Sequence, residues 1–412
     1  MSTVTATSRL ESVRTFQRWF ENKHEYAREW KERTGGQVVG TFCTYVPEEF
    51  LLAAGMLPAR ILGSHEPQAI TEPHIFGMFC PFCRDGLAQG LKGRYNYVDA
   101  IVLSHSCLHF RQAFTSWKQH LPVAWSYYLP MPNAVQSPHA REAFAAEVRQ
   151  FQAYVEEQAG RQITAEGLAA ALETMDSNRR KLRQVYEWRK QEDPAITGTD
   201  AVYMAVTSQF IHKEDHNRAL DAVLAELESL QGPRRRQGVR LMAVGSENDD
   251  VEFFRMVEAL DATVVIDEQC AGSRYFWNES QPAGPAGTPA PLGEPGQAVP
   301  GTPEPTVPFD DLVVRIANRY LDRPPCPTKD YPERKRLGHV LQLARDWDVK
   351  GAIIMQEKFC DPHEADNPAL RKHLTDNGIP TLLLEFDSTN PMGPLQVRVE
   401  AFLETLGEED LF

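Results

Sequence analysis

The sequence lacks a run of apolar residues long enough to cross a membrane. No stretch approaches the roughly 18–20 consecutive apolar residues that span a bilayer as a helix. Residues 1–14 are polar and contain no apolar core of the kind found in secretory signals. From these two absences we expect a cytoplasmic protein with no membrane partner.

Basic charge is also scarce. The 412 residues include 43 Lys and Arg against 57 Asp and Glu, which gives a formal net charge of −14. Because nucleic-acid-binding proteins present an excess of positive charge, we expect no general nucleic-acid partner. The run Arg234-Arg235-Arg236 is predicted to be a solvated connection between a helix and a strand, with phosphate contact as the less favoured alternative.

Common phosphate-binding and hydrolase motifs are missing as well. The sequence contains no G-x-x-x-x-G-K loop, no G-x-G-x-x-G and no G-x-S-x-G. Any chemistry driven by ATP would therefore need that nucleotide to be bound by a different chain.

What the chain does have is cysteine, in an odd number that disfavours a framework of disulfides. In a reducing cytosol we expect these residues to be thiols or metal ligands. They are Cys43, Cys80, Cys83, Cys107, Cys270, Cys326 and Cys360.

Apolar runs alternate with helical periodicity in two separate regions, which predicts an α/β fold. We expect two Rossmann-like parallel-sheet lobes related by a pseudo-repeat, with a helical middle segment and an N-terminal helix. The predicted domains are the N-terminal helix at 1–36, a first α/β lobe at 37–136, a helical segment at 137–237 and a second α/β lobe at 238–412. Within the second lobe, the Pro/Gly-rich residues 281–308 are predicted to form an exposed, flexible insertion.

Two apolar runs, 98–107 and 351–360, resemble each other, since each reads as a buried strand that ends on a thiol. Ligands of open parallel sheets bind beyond the carboxyl ends of the strands. Because Cys43 and Cys270 also follow predicted strands, this edge is where a site is expected. Our hypothesis is an iron–sulfur cluster held between the two lobes.

The pair Cys80 and Cys83 is predicted to lie on a loop that leads into a helix at Asp85. Two later helices are predicted to begin near residues 111 and 367. Taken alone, a C-x-x-C pair also suits zinc or a thiol–disulfide switch, although no second close pair completes a zinc site.

The other cysteines have simpler interpretations. A free cysteine is often a small buried hydrophobe, and this is the favoured interpretation of Cys270 and Cys326. For Cys43 the structural and functional interpretations are balanced.

Three other side chains are candidates for proton donors or substrate contacts. His105 and His109 flank Cys107 and are able to exchange protons near a reduced substrate. Satisfied polar residues in a loop are an equally good interpretation of both. Glu49 begins a predicted helix, where a carboxylate is favourable in any case, or it reaches the site.

Several segments, spread over nearly the whole chain, carry a resemblance to a known family. They are Phe42-Cys43-Thr44-Tyr45-Val46-Pro47-Glu48-Glu49, Ala53-Ala54-Gly55, Cys80-Pro81, Ser106-Cys107, Asp267-Glu268-Gln269-Cys270-Ala271-Gly272-Ser273-Arg274, Lys358-Phe359-Cys360-Asp361-Pro362, Gly378-Ile379-Pro380 and Arg398-Val399-Glu400-Ala401-Phe402. In these segments the chain resembles the 2-hydroxyacyl-CoA dehydratase / benzoyl-CoA reductase family of oxygen-sensitive iron–sulfur proteins. The 281–308 segment lies outside the resemblance.

The resemblance implies one [4Fe-4S] cluster held by three cysteines, and the best matches to those ligands are Cys80, Cys107 and Cys360. Cys83 is then predicted to be a bystander, and whether it or Cys43 assists the cluster stays open. The dehydratases usually carry Asp after the middle cysteine, whereas this chain reads Leu108-His109-Phe110-Arg111-Gln112. That departure makes the chain more similar to the substrate-side, B-type subunits of benzoyl-CoA reductase.

The resemblance also implies partners and a reaction. Reduced ferredoxin would feed electrons to ATP-hydrolysing iron–sulfur activator subunits, which alone would bind ATP-Mg. A related large subunit would help to enclose the substrate, benzoyl-CoA, whose ring becomes a cyclohexadiene carbonyl-CoA. Two alternatives remain: a subunit of a 2-hydroxyacyl-CoA dehydratase, and an electron relay with no substrate pocket of its own.

Overall fold

The computed structural model describes residues 9–230, 238–247, 249–280 and 307–409. The Arg234–Arg236 run lies outside these ranges, as does nearly all of the predicted insertion at 281–308. No helix within the described ranges combines the length and the apolar character that a membrane crossing needs.

Two helices, α1 (Val13–Glu21) and α2 (Lys23–Thr34), replace the single N-terminal helix that was expected. They are separated by Asn22, whose backbone leaves the helical region at φ −119° and ψ 34°. The Asn22 side-chain amide donates to the carbonyl of Arg18 at 3.0 Å. Asparagine often breaks a helix in this way, because its short side chain competes for backbone hydrogen bonds.

The first lobe is a four-stranded parallel sheet. Its strands are β1 (Val38–Thr41), β2 (Leu57–Arg60), β3 (Ala100–Ser104) and β4 (Trp125–Leu129), and the helices between them are α3 (Glu48–Ala53), α4 (Pro81–Leu91) and α5 (Leu108–His120). The strand order across the sheet is β2-β1-β3-β4. Every residue of β1, β2 and β3 is buried, as the continuous apolar runs predict for a sheet covered on both faces.

Four long helices follow the first lobe. They are α6 (Ala140–Ala159), α7 (Ala165–Glu187), α8 (Gly198–Thr207) and α9 (Lys213–Ser229). Of these, α7 packs on α9 and on α3 of the first lobe.

The second lobe repeats the first. Its strands are β5 (Val239–Gly245), β6 (Ala262–Glu268), β7 (Gly351–Glu357) and β8 (Thr381–Phe386), and its helices are α10 (Val251–Glu258), α11 (Ser273–Phe276), α12 (Phe309–Asp322), α13 (Lys335–Asp346), α14 (Asp361–Asp376) and α15 (Met392–Glu409). The parallel strands lie in the order β6-β5-β7-β8, which matches β2-β1-β3-β4 position by position. The predicted fold class and the predicted pseudo-repeat are therefore confirmed.

Candidate functional site

Three cysteines stand directly before the first residue of a helix. Cys80 precedes α4, Cys107 precedes α5 and Cys360 precedes α14. The predicted starts of these helices, near residues 85, 111 and 367, are wrong because each helix begins earlier. Proline is tolerated in a first helical turn, and Pro81 and Pro362 occupy such positions.

The helix starts bring thiols from both lobes together. The Cys80 thiol is within hydrogen-bonding contact of the thiols of Cys360 and Cys83, and Cys83 contacts Cys107 in turn. We call Cys80, Cys83, Cys107 and Cys360 the first thiol group. The three cysteines named as ligands thus lie together, and so does Cys83, which the resemblance left as a bystander.

The electrostatic setting favours thiolates. Hydrogen bonds from Cys360 and then Cys83 lower the pKa of the Cys80 thiol well below its ordinary value, although the residue is buried. Contact with Cys83 likewise lowers the pKa of Cys107. The N-terminal ends of α4, α5 and α14 add partial positive charge beside the sulfur atoms.

His109 supports the first thiol group from the first turn of α5. The backbone N–H of Cys80 donates to His109 Nδ1 at 3.0 Å, so Nδ1 is the unprotonated nitrogen. The other nitrogen, Nε2, lies 3.5 Å from Asp361 Oδ2. Burial lowers the pKa of His109, but its hydrogen bond with Cys80 and the neighbouring negative charges outweigh burial and raise it overall.

A cavity of about 380 Å³ opens beside Cys107. It is lined by His105, Ser106, Cys107, Leu108, His109, Arg111, Asn133, Thr328, Asp361 and Pro362. Polar groups therefore converge on one side of the thiols, where a reacting molecule has room to approach.

His105 lies at the wall of this cavity, paired with Tyr128. The Tyr128 hydroxyl and His105 Nδ1 are 2.5 Å apart. Burial, helped by the charges of Lys329 and Arg111, lowers the pKa of His105. Its imidazole is therefore neutral near pH 7 and has one nitrogen left for a second partner.

Glu49 is held by other contacts. Its carboxylate accepts from Arg179 Nη2 at 2.5 Å and from the Tyr320 hydroxyl at 2.9 Å. The side chain is fully buried, and its ion pair joins α3 to α7. These contacts give Glu49 a structural task at the junction of the first lobe with the helical segment.

Sequence reasoning missed Lys329, which is fully buried beside the cavity. Its ammonium donates to Asn133 Oδ1 at 3.0 Å, and burial lowers its pKa to about 8. The charges of Cys326, Cys43 and Cys107 act in the opposite direction. No pattern in the sequence marks this lysine, because its burial depends on the turn that follows Cys326.

The donor set of the first thiol group fits an iron–sulfur cluster. Within the described ranges, no three His, Cys, Asp or Glu side chains converge on the position of a single metal ion. The thiolates that hold a cluster bind different irons, so they surround the cofactor rather than converge on one point. Soft thiolate ligands also select iron–sulfur clusters, zinc or copper over magnesium and calcium.

Known proteins resemble this chain over nearly its whole length. A family model described as 2-hydroxyglutaryl-CoA dehydratase, D-component, matches residues 43–292 and 299–406. The beta subunit of (R)-phenyllactyl-CoA dehydratase from Clostridium sporogenes is 25% identical over 389 residues, covering 94% of this chain and 96% of that relative. A benzoyl-CoA reductase subunit from Thauera aromatica is 23% identical over 386 residues, covering 92% and 94%. The beta subunit of (R)-2-hydroxyglutaryl-CoA dehydratase from Acidaminococcus fermentans is 22% identical, covering 90% and 93%.

Proposed function

The chain belongs to the 2-hydroxyglutaryl-CoA dehydratase, D-component, family, and we propose that it is an iron–sulfur subunit of a benzoyl-CoA reductase. In this proposal the complex reduces the ring of benzoyl-CoA to a cyclohexadiene-1-carbonyl-CoA. The observation that carries the proposal is the meeting of Cys80, Cys107 and Cys360 at three helix N-termini beside a cavity.

In the proposed mechanism this chain holds, orients and encloses. The thiolates of Cys80, Cys107 and Cys360 are the ligands, and the three helix ends stabilise the negative charge of the loaded site. When bound, a [4Fe-4S] cluster supplies single electrons at low potential, which the reduction of an aromatic ring requires. With only three ligands from the protein, one iron stays open toward the cavity.

Groups around the cavity position the acyl thioester and supply protons. Arg111 and Asn133 are able to bind its polar atoms, and both line the cavity. His109 is fixed by the Cys80 N–H at Nδ1, so its Nε2 is the nitrogen that can exchange a proton near the substrate. His105 is the second candidate for that role.

Partner subunits are proposed to cover the site. Four apolar side chains next to the thiols are exposed: Phe76 by 75%, Met78 by 69%, Leu108 by 46% and Phe359 by 44%. Apolar residues grouped around a functional site are typical of surfaces that bind other proteins. A related large subunit and an ATP-hydrolysing activator fed by reduced ferredoxin are the partners that the proposal requires.

The second candidate is a 2-hydroxyacyl-CoA dehydratase subunit. Two of the relatives described above are dehydratase beta subunits, and this supports that candidate. The sequence after Cys107 supports the reductase, because it reads Leu-His-Phe-Arg-Gln where the dehydratases usually have Asp.

Electron counting separates the two reactions. The chain is purified without oxygen together with its partner chains and supplied with reduced ferredoxin, ATP-Mg and either benzoyl-CoA or a 2-hydroxyacyl-CoA. A reductase oxidises ferredoxin in proportion to the dienoyl-CoA formed, as followed by absorbance and mass spectrometry. Turnover of the hydroxyacyl-CoA without net ferredoxin oxidation would establish the dehydratase instead. An electron relay would bind and convert neither thioester.

A further inference from the structure

The three remaining cysteines also meet at the carboxyl edge of the sheets. Cys43 follows β1, and Cys270 follows β6. Cys326 directly precedes a short 3-10 helix, Pro327–Lys329. We call Cys43, Cys270 and Cys326 the second thiol group.

The second thiol group is tied together by direct contacts. The thiols of Cys270 and Cys326 are hydrogen-bond partners, and Cys43 is close enough to Cys270 for their charges to interact. The backbone N–H of Cys326 donates to the Tyr45 hydroxyl at 3.1 Å, which joins the turn to the segment after β1. The favoured interpretation of Cys270 and Cys326 as isolated hydrophobes does not account for these contacts.

Guanidinium groups surround the sulfur atoms. Arg274 Nη1 lies 3.0 Å from Cys270 Sγ and donates to it. Arg60 is 2% exposed and lies near both Cys43 and Cys270. Its Nη2 is 3.2 Å from Glu247 Oε1, yet none of its three side-chain nitrogens makes a hydrogen bond.

A buried donor without an acceptor costs roughly 1–3 kcal/mol, so an arginine with three such nitrogens implies missing acceptors. A disulfide between Cys270 and Cys326 would add none. A zinc ion held by three thiolates would add none either, and no three of these side chains within the described ranges converge on one ion. A cluster brings inorganic sulfides, which accept hydrogen bonds from the protein.

We propose that the second thiol group holds an iron–sulfur cluster of its own, with Cys43, Cys270 and Cys326 as ligands and Arg60 and Arg274 as hydrogen-bond donors to its sulfur atoms. The pseudo-repeat supports this. Cys80-Pro81 and Cys326-Pro327 both lie between the second and third strands of their lobes, and each begins a helical turn.

The two thiol groups are neighbours. The side chain of Ser106, next to Cys107, is hydrogen-bonded to Cys43. The ammonium of Lys329 lies between the groups, where the charges of Cys326, Cys43 and Cys107 all act on it. The second cluster would therefore lie beside the first, close enough for their unpaired electrons to interact when both are reduced.

Iron and sulfide counts test the proposal. The full chain is reconstituted without oxygen, and iron, zinc and acid-labile sulfide are measured per chain in three proteins: the wild type, a Cys43→Ala/Cys270→Ala/Cys326→Ala variant and a Cys80→Ala/Cys107→Ala/Cys360→Ala variant. We expect about eight irons in the wild type and about four in each variant. Electron paramagnetic resonance of the reduced wild type should show interacting centres, and each variant a single uncoupled one.

Other outcomes would overturn the proposal. They are about four irons in the wild type, stoichiometric zinc, or a Cys270–Cys326 disulfide in the mass spectrum with the iron count unchanged. The wild-type count decides even if a triple variant fails to fold, which circular dichroism would detect. Arg60→Lys, which keeps the charge, should retain the iron and alter the resonance signal. The count does not depend on which acyl-CoA reaction the complex performs, so its failure leaves the proposed function standing.

Discussion

The two lobes share a strand order and yet divide their thiols unequally. In each lobe the third strand, β3 or β7, leads directly to a cysteine at the start of a helix. The first lobe adds Cys80 and Cys83 to the first thiol group, whereas the second lobe contributes Cys360 alone. Topology therefore fixes the position of one ligand in each lobe, and the segments between the second and third strands decide the rest.

The lobes also differ in charge at the ends of their second strands. In the first lobe β2 ends on Arg60, and in the second lobe β6 ends on Glu268. Glu268 is fully buried and accepts from Arg274 Nε at 2.6 Å and from Arg336 Nη2 at 2.7 Å. One strand end thus has its ion pairs completed within the protein, while the other presents unsatisfied donors.

The largest effect should come from removing the ligand of the second lobe. In Cys360→Ala we expect the first thiol group to lose its iron, because two lobes can no longer share one cofactor. The loss should be at least as large as the roughly 10–100-fold drop in affinity that follows loss of a supporting residue. Anaerobic iron and sulfide analysis measures it, with Cys83→Ala as the milder control. Full retention of the cluster in Cys360→Ala would contradict the two-lobe site.

The next effect concerns the completed ion pairs. Glu268→Gln leaves two buried guanidinium groups without their anion, which should lower the free energy of unfolding by about 3–5 kcal/mol. Urea denaturation of the metal-free chain measures the change. The control is Glu252→Gln, whose exposed pair with Arg255 on α10 should be worth less than about 1 kcal/mol. Equal losses in both variants would show that Glu268 adds nothing special to the second lobe.

The first strands offer a matched pair of glycines. A Cβ on Gly245, at φ +144°, would lie 2.1 Å from the carbonyl oxygen of Met355 in β7, so Gly245→Ala should cost roughly 2 kcal/mol or more. A Cβ on Gly40 would meet only the flexible end of Ile61 at 2.9 Å, so Gly40→Ala should cost roughly 1 kcal/mol or less.

Thermal unfolding of both glycine variants tests that contrast. Gly338→Ala is the control, because a Cβ there meets nothing within 4 Å and alanine favours the helix by about 1 kcal/mol. If Gly40→Ala proves the more harmful change, the close approach of β5 and β7 is not the cause.

The smallest effect is a pH dependence that both lobes should share. Burial lowers the pKa of His24 on α2 to about 3 and that of His339 on α13 to about 4. For His24 the nearby charges of Lys23, Arg28 and Arg94 act in the same direction. The unfolded chain binds these protons first, so stability is fully present above pH 6.5 and is lost as the pH falls through the folded values.

Urea midpoints between pH 7 and pH 4 measure this acid sensitivity. His24→Gln and His339→Gln should each flatten the decline, while the exposed His139→Gln should leave it unchanged. A decline that is as steep in both buried variants as in the wild type would rule out these two histidines as its source.

The strands and the pseudo-repeat were predictable from the sequence, since β3 and β7 are continuous apolar runs and burial on both faces needs little else. The helix starts were not. Periodicity marks the apolar face of a helix but not its first turn, which is why α14 begins six residues before the predicted position at 367.

Part of the site was equally hard to predict. Cys80, Cys107 and Cys360 were identified by resemblance, and the structure brings them together. The association of Cys270 with Cys326 joins segments that are distant in sequence, and no local pattern reports such a contact. The shared Cys-Pro at 80–81 and 326–327 was the available signal, and it gains meaning only when the two lobes are superposed.

The placement of Cys360 in the second lobe has a consequence for how the protein is made. A ribosome adds about 5–20 residues per second, so on the order of ten seconds or more pass between the emergence of Cys107 and that of Cys360. During that interval the thiols of the first lobe have no partner from the second. The nascent chain must therefore be protected from oxygen and from competing metals until its last strands are complete, which ties the yield of loaded protein to the cell's supply of iron at that moment.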